Sequence, residues 1–136
     1  MRPAEPTVPV VVEAARGASL RLVRLAADAQ RTGSPAVVVV PFTDTTSVRR
    51  SSSVLRFAHA LGLRTILDAH GTAVEHLAAR RPELVRPTLR AADAVVVRSP
   101  RTATLVRELS RGRLRVEIAA ERSTITLQRL ERTLAA

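Results

Sequence analysis

Residues 35–42 read Pro-Ala-Val-Val-Val-Val-Pro-Phe, and this unbroken valine run decides the fold class. A strand with one solvated face alternates apolar and polar residues, whereas a continuous apolar run is typical of a strand buried on both faces. Such strands belong to parallel sheets that helices cover on both sides. The run therefore predicts an α/β domain.

Four further apolar runs recur along the chain, spaced roughly 25 to 30 residues apart, which is the length of a strand–helix unit. Together the five predicted strands are 8–15, 35–42, 64–70, 92–98 and 113–119. They predict a five-stranded parallel sheet in which the first and third strands lie near the centre.

The segments between the strands carry apolar residues at helical spacing. The predicted helices are 19–31, 47–61, 72–90, 99–110 and 123–134, with stops at Gly33, Gly62 and Gly112. We expect the third of these helices to be broken, because Pro82 can begin a new helix and Pro87 would kink or end it.

The predicted architecture is one domain spanning residues 1–136, with residues 1–7 frayed. Its fold class is α/β, a three-layer Rossmann-like or flavodoxin-like domain with a five-stranded parallel sheet and helices on both faces.

Composition excludes several function classes. The chain has no cysteine, so disulfides, thiolate zinc sites and cysteine nucleophiles are impossible. Phe42 and Phe57 are its only aromatic residues, too few for a platform that stacks nucleic-acid bases. The net charge is +10 and every basic residue is arginine. These arginines are spread along the sequence, which favours solvated helix faces over a clustered basic footprint and predicts weak, non-specific polyanion binding.

The sequence also predicts a cytoplasmic location, because no apolar run approaches the ~20 residues needed to span a bilayer and no signal-peptide core is found. No metal site is predicted, since His59, His70 and His76 do not share a ligand spacing. No cofactor is predicted either, because the chain lacks a dinucleotide glycine fingerprint and a Walker lysine.

Candidate site residues follow the predicted strands, because parallel α/β sheets bind ligands beyond the carboxyl ends of their strands. Residues 68–72 read Asp-Ala-His-Gly-Thr. His70 could transfer a proton near neutral pH, and Asp68, Gly71 and Thr72 could contact a ligand at the following helix N-terminus. The alternative is that the histidine and the carboxylate satisfy a loop.

Two further loops offer candidates. Arg98 and Ser99 precede a predicted helix whose N-terminus could bind an anion, or Ser99 could be a plain helix cap. Arg16 and Gly17 follow the first predicted strand and are candidate ligand contacts there.

Residues 63–72 (Leu-Arg-Thr-Ile-Leu-Asp-Ala-His-Gly-Thr), 89–100 (Leu-Arg-Ala-Ala-Asp-Ala-Val-Val-Val-Arg-Ser-Pro) and 105–109 (Leu-Val-Arg-Glu-Leu) carry a family resemblance. Their order and spacing resemble the later part of the N-terminal domain of a GT-B glycosyltransferase of the family-four retaining type. In that family a strand ends in His-Gly, and a helix then leads to a strand of the same Ala-Ala-Asp-Ala-Val-Val-Val pattern and a capped helix.

The resemblance implies that His70 lies near the reacting sugar or acceptor and Ser99 near the cleft. The chain departs from the family pattern, because the family's first glycine-rich loop is reduced to Gly17 and no Pro-Asn-Gly turn follows Ile118. The implied molecule is an acceptor-side domain without the nucleotide-sugar domain. It would be inactive alone and would act with a separate donor-domain protein or an acceptor substrate.

Two other interpretations stay open, so whether the chain is an enzyme is undecided at this point. One is a non-enzymatic, arginine-rich module that binds phosphate or nucleic acid. The other is an idealised or designed α/β scaffold without a ligand, which the restricted residue alphabet favours and the irregular stretch 82–87 disfavours.

Overall fold

The computed structural model describes residues 10–13, 16–33, 36–42, 48–69 and 73–119, which form five strands and five helices. In chain order these are β1 (Val10–Val11), α1 (Ala18–Thr32), β2 (Val37–Phe42), α2 (Val48–Ala60), β3 (Arg64–Ala69), α3 (Ala73–Arg80), α4 (Pro82–Arg90), β4 (Ala94–Val97), α5 (Pro100–Ser110) and β5 (Arg115–Ile118).

All described strands are parallel, and the sheet order is β1-β2-β3-β4-β5. The predicted α/β class with a five-stranded parallel sheet is confirmed, and the five helices of the described part of the chain all contribute to the apolar cluster on one face of the sheet. The central position of β3 is also confirmed. The central position expected for β1 was wrong, because each connection carries the chain one strand further in the same direction and leaves β1 at the edge of the described sheet.

Both faces of the sheet are buried. On one face, Val38 and Val40 of β2 cluster with buried residues of all five helices, including Leu22 of α1 and Leu55 of α2. The opposite face forms a second buried cluster, made of Val37, Val39, Ile66, Ala94, Val96 and Ala119. The valine run of β2 therefore divides between two apolar clusters, as expected for a strand buried on both sides.

The ends of the helices agree closely with the sequence pattern. Gly33 ends α1 with φ of 69°, a left-handed conformation that glycine adopts without a Cβ penalty. Pro82 begins α4 as predicted, but α4 continues through Pro87 to Arg90. Pro87 lies in the last turn of α4; it cannot donate to the Glu83 carbonyl, but its own carbonyl accepts a 3.3 Å hydrogen bond from the Ala91 N–H. Both the predicted helix at 123–134 and the predicted frayed segment at 1–7 lie outside the described residues.

Asp93 fastens the amino-terminal ends of β3 and β4 to each other. Its Oδ2 accepts a 2.8 Å hydrogen bond from the Thr65 backbone N–H, and the Thr65 hydroxyl group lies 3.2 Å from the same oxygen and 2.9 Å from the Ala91 carbonyl. In return, the Asp93 N–H donates to the Thr65 carbonyl at 2.9 Å. The aspartate of the Ala-Ala-Asp segment therefore has a structural role.

We expect Asp93→Ala to lower the free energy of unfolding by about 1 to 3 kcal/mol, because the buried Thr65 N–H loses its carboxylate acceptor. Chemical denaturation monitored by circular dichroism measures this change. Asp28→Ala is the control, since Asp28 pairs with Arg31 on the exposed surface of α1 and its loss should cost less than about 1 kcal/mol. Equal effects of the two substitutions would contradict the structural role of Asp93.

Candidate functional site

The carboxyl edge of the sheet gathers the chain segments that the sequence analysis singled out. β3 ends at Ala69 and β4 at Val97, and the two strands are adjacent and parallel. Residues that follow them therefore emerge side by side at the carboxyl edge of the sheet. Ligands of open α/β sheets bind beyond this edge where the strand order reverses, and the described strands follow one another without such a reversal.

Asp68 and Arg98 form an ion pair across this edge. The Asp68 Oδ1 accepts a 2.8 Å hydrogen bond from an Arg98 terminal nitrogen, and the other terminal nitrogen donates to the Ala119 carbonyl at 3.1 Å. The Asp68 side chain is only 1% exposed and that of Arg98 15% exposed. The guanidinium group thus ties the ends of β3 and β4 to the residue that follows β5.

The face on which the pair lies follows from strand alternation, since residues two apart share a face. Asp68 lies two residues after Ile66, and Arg98 lies two residues after Val96; Ile66 and Val96 both belong to the second apolar cluster. The ion pair therefore closes that cluster at the carboxyl edge of the sheet. A buried carboxylate in this place needs a cationic partner, which Arg98 supplies.

Ser99 caps α5, as the sequence predicts. Its hydroxyl oxygen accepts a 3.2 Å hydrogen bond from the Thr102 N–H, and the two hydroxyl groups lie 3.0 Å apart. The Thr102 hydroxyl in turn donates to Glu75 Oε1 at 2.6 Å. This chain of polar contacts joins the first turn of α5 to the first turn of α3, so Ser99 has partners within the protein.

Thr102 and Glu75 are residues that the sequence analysis missed. The sequence contains a local signal for Thr102, because it stands three residues after the N-cap serine. A capping side chain accepts a hydrogen bond from the N–H at this position. Glu75 could not have been linked to it from spacing, since the two residues are 27 positions apart and meet through packing of α3 against α5.

Arg16 and Gly17 lie at a different place on the carboxyl edge. Both are exposed and line a shallow depression of about 360 Å³ with Glu13 and Arg21. Gly17, with φ of 83°, precedes α1, whose first turn has no side-chain cap. Because β1 lies two strands from β3, and neighbouring strands are about 4.8 Å apart, the two groups are separated by about 10 Å at the sheet.

The structure thus brings Asp68, Arg98 and Ser99 into one region and leaves Arg16 with Gly17 apart from it. The remaining predicted residues, His70, Gly71 and Thr72, lie outside the described residues, so their roles stay predictions. Within the described ranges, no group of three or more histidine, aspartate or glutamate side chains could hold a metal ion. The helices of the described part of the chain include none long and apolar enough to cross a membrane.

Comparison with known proteins gives no relative: no protein-family model, no curated protein sequence and no solved structure matches the chain.

Proposed function

We propose that this protein is a glycosyltransferase-like acceptor-side domain that binds an acceptor or a sugar phosphate and lacks catalytic activity on its own. The observation that carries the proposal is the Asp68–Arg98 ion pair of 2.8 Å. It connects the two segments in which the resemblance to GT-B enzymes resides, residues 63–72 and 89–100, at the carboxyl edge of the sheet.

The order of elements supports the same proposal. β3 is followed by two short helices, then by β4, and then by α5 with Ser99 as its N-cap. This succession of strand, helical connection, strand and capped helix is the one that the resemblance implies. The order of whole elements therefore supports a resemblance whose sequence motifs are individually short.

In the proposed site, Asp68 and Arg98 position the loop rather than contact the ligand. The Asp68 carboxylate is engaged by a guanidinium group, and the Arg98 guanidinium group also donates to the Ala119 carbonyl. Ligand contact is assigned to His70, two residues beyond Asp68, and to Gly71 and Thr72. Arg16 and Gly17 would contact a distal part of a larger ligand.

The proposal also assigns donor binding to a domain other than this one. In GT-B enzymes a second domain holds the nucleotide-sugar, so transfer by this domain would require such a donor domain. The proposed location is the cytoplasm, where nucleotide-sugars are available to a donor domain.

We expect His70→Ala to weaken binding of a sugar phosphate or polyol by about 1 to 3 kcal/mol, the usual cost of losing one buried polar partner. The free energy of unfolding should change little, because His70 follows β3 rather than lying within it. Calorimetric titration and thermal melting of parent and variant measure the two quantities.

The matched control is His76→Ala, which removes an exposed histidine from α3 and should leave both quantities unchanged. A strong loss of stability in His70→Ala, together with no detectable ligand for the parent chain, would show that His70 is structural. Unaided turnover of a nucleotide-sugar by the parent chain would refute the claim that this domain is inactive on its own.

A further inference from the structure

A second cleft lies at the opposite edge of the sheet from the candidate site. It encloses about 540 Å³ between the carboxyl-terminal ends of α4 and α5 and the residues that precede β4 and β5. Its apolar lining comes from Leu89, Ala92, Leu109 and Leu114, and its remaining walls are polar. The volume is in the range of small-ligand sites, which are about 300 to 1,000 Å³.

Four arginines line this cleft, which we call the arginine cleft. They are Arg86, Arg90, Arg111 and Arg113. All four are exposed, and within the described part of the chain none of them forms an ion pair or a side-chain hydrogen bond. No residue in the described part of the chain therefore occupies their guanidinium donors.

The negative charge in the cleft does not balance these four groups. In the described part of the chain its carboxylates are Asp93 and Glu108, and the Asp93 Oδ2 already accepts a 2.8 Å hydrogen bond from the Thr65 N–H. Two positive charges remain without a counter-charge among the described lining side chains, and the carboxyl termini of α4 and α5, with about −0.5 elementary charge each, offset only part of this excess. An anion in this cleft would therefore gain from several unpaired cations at once.

The dipoles of α4 and α5 account for only part of this arrangement. Basic residues stabilise helix carboxyl termini, and Arg90 and Arg107 already stand in the last turns of α4 and α5. Arg111 lies beyond its helix with φ of 55°, a left-handed conformation that a side chain rarely adopts and that glycine would adopt more easily. The backbone therefore gives no reason for an arginine at this position.

The segment that presents Arg111 and Arg113 is held in place. The Gly112 N–H donates to the Arg107 carbonyl at 2.9 Å, and the Arg113 N–H donates to the Ser110 carbonyl at 3.2 Å. These bonds fix the backbone before any ligand binds, which lowers the entropy lost on binding.

We propose that the arginine cleft binds a small oligophosphate, such as pyrophosphate or tripolyphosphate. A planar guanidinium group pairs bidentately with phosphate oxygens. Several guanidinium groups can therefore engage a chain of linked phosphates more fully than they can engage a single phosphate. The lining has no aromatic side chain on which a nucleobase could stack. This site is independent of the proposed acceptor site, because it lies at the other edge of the sheet.

The test is calorimetric titration of the full chain with tripolyphosphate and with orthophosphate at physiological salt. We expect tripolyphosphate to bind at least about tenfold more tightly, since it can engage more guanidinium groups. The double variant R90Q/R113Q should weaken tripolyphosphate binding at least about tenfold. The charge-matched control R24Q/R49Q changes exposed arginines that do not line the cleft, and should weaken binding less than about twofold.

A third variant separates binding from folding. Arg111→Gly should weaken tripolyphosphate binding several-fold and leave the melting temperature unchanged or higher, because glycine fits φ of 55°. Equal weakening by R90Q/R113Q and R24Q/R49Q would overturn the proposal and indicate diffuse attraction by net charge. Equal affinity for orthophosphate, or tighter binding of a DNA duplex through the same arginines, would overturn the ligand class.

Discussion

Asp68→Ala is expected to lower the free energy of unfolding by about 3 kcal/mol. Removing one partner of a buried ion pair costs about 3 to 5 kcal/mol, because the other charge is left buried without compensation. The lower end applies here, since Arg98 retains its hydrogen bond to the Ala119 carbonyl and its side chain is 15% exposed. For a chain of this size the melting temperature should fall by about 10 °C.

Chemical denaturation at neutral pH measures the change, with Asp28→Ala as the control for losing an aspartate that pairs on the surface. A change for Asp68→Ala below about 0.5 kcal/mol would show that the ion pair contributes nothing to folding.

The double variant Asp68→Leu with Arg98→Met tests whether the pair is needed for stability or for function. Well-packed apolar replacements of a buried ion pair are often neutral or stabilising, so we expect the double variant to recover most of the loss. If the double variant folds stably but no longer binds the sugar phosphate or polyol, the pair positions the ligand-binding loop. If it folds and binds like the parent, Asp68 and Arg98 have no part in the proposed site.

The fold could be predicted from the sequence because burial on both faces leaves a direct mark. Residues 37–40 are four consecutive valines, and each is at most 2% exposed in the structure. The strand order left no such mark. β1 and β3 are both apolar runs, and nothing in either run records how many neighbours the strand has, so the edge position of β1 was not predictable.

The candidate site was predicted as separate residues rather than as contacts. Asp68 and Arg98 were identified because each ends a strand, but their pairing depends on the register that sets Asp68 opposite Val96 in the parallel ladder. That register is fixed by packing between elements. Local sequence patterns do not contain it.

The arginine cleft is a second feature that local sequence patterns do not reveal. Its four arginines lie in two pairs more than twenty positions apart, and this spread predicted solvated helix faces. They line one cleft because α4 and α5 both return the chain to the amino-terminal edge of the sheet. A charge cluster built by topology is invisible to a search for clustered charge in sequence.

Ile66→Ala is expected to lower the free energy of unfolding by about 3 to 4 kcal/mol. Ile66 is fully buried in the central strand β3 and belongs to the second apolar cluster. Truncating a buried isoleucine costs about 2 to 5 kcal/mol, the larger values arising where the surroundings cannot collapse into the cavity. Here the ladder partners are Val39 and Ala94, one stiff at χ1 and the other too small to fill the space.

The matched control is Ile118→Ala, which makes the same chemical change at a residue that is 44% exposed in β5. It should cost about 1 kcal/mol or less, because less apolar surface returns to water and no closed cavity forms. Urea denaturation of both variants and of the parent chain measures the two losses of unfolding free energy against the same reference. A cost for Ile66→Ala no greater than that for Ile118→Ala would mean that the second face is not packed. The valine-rich strands would then owe their stability to the helix-covered face alone.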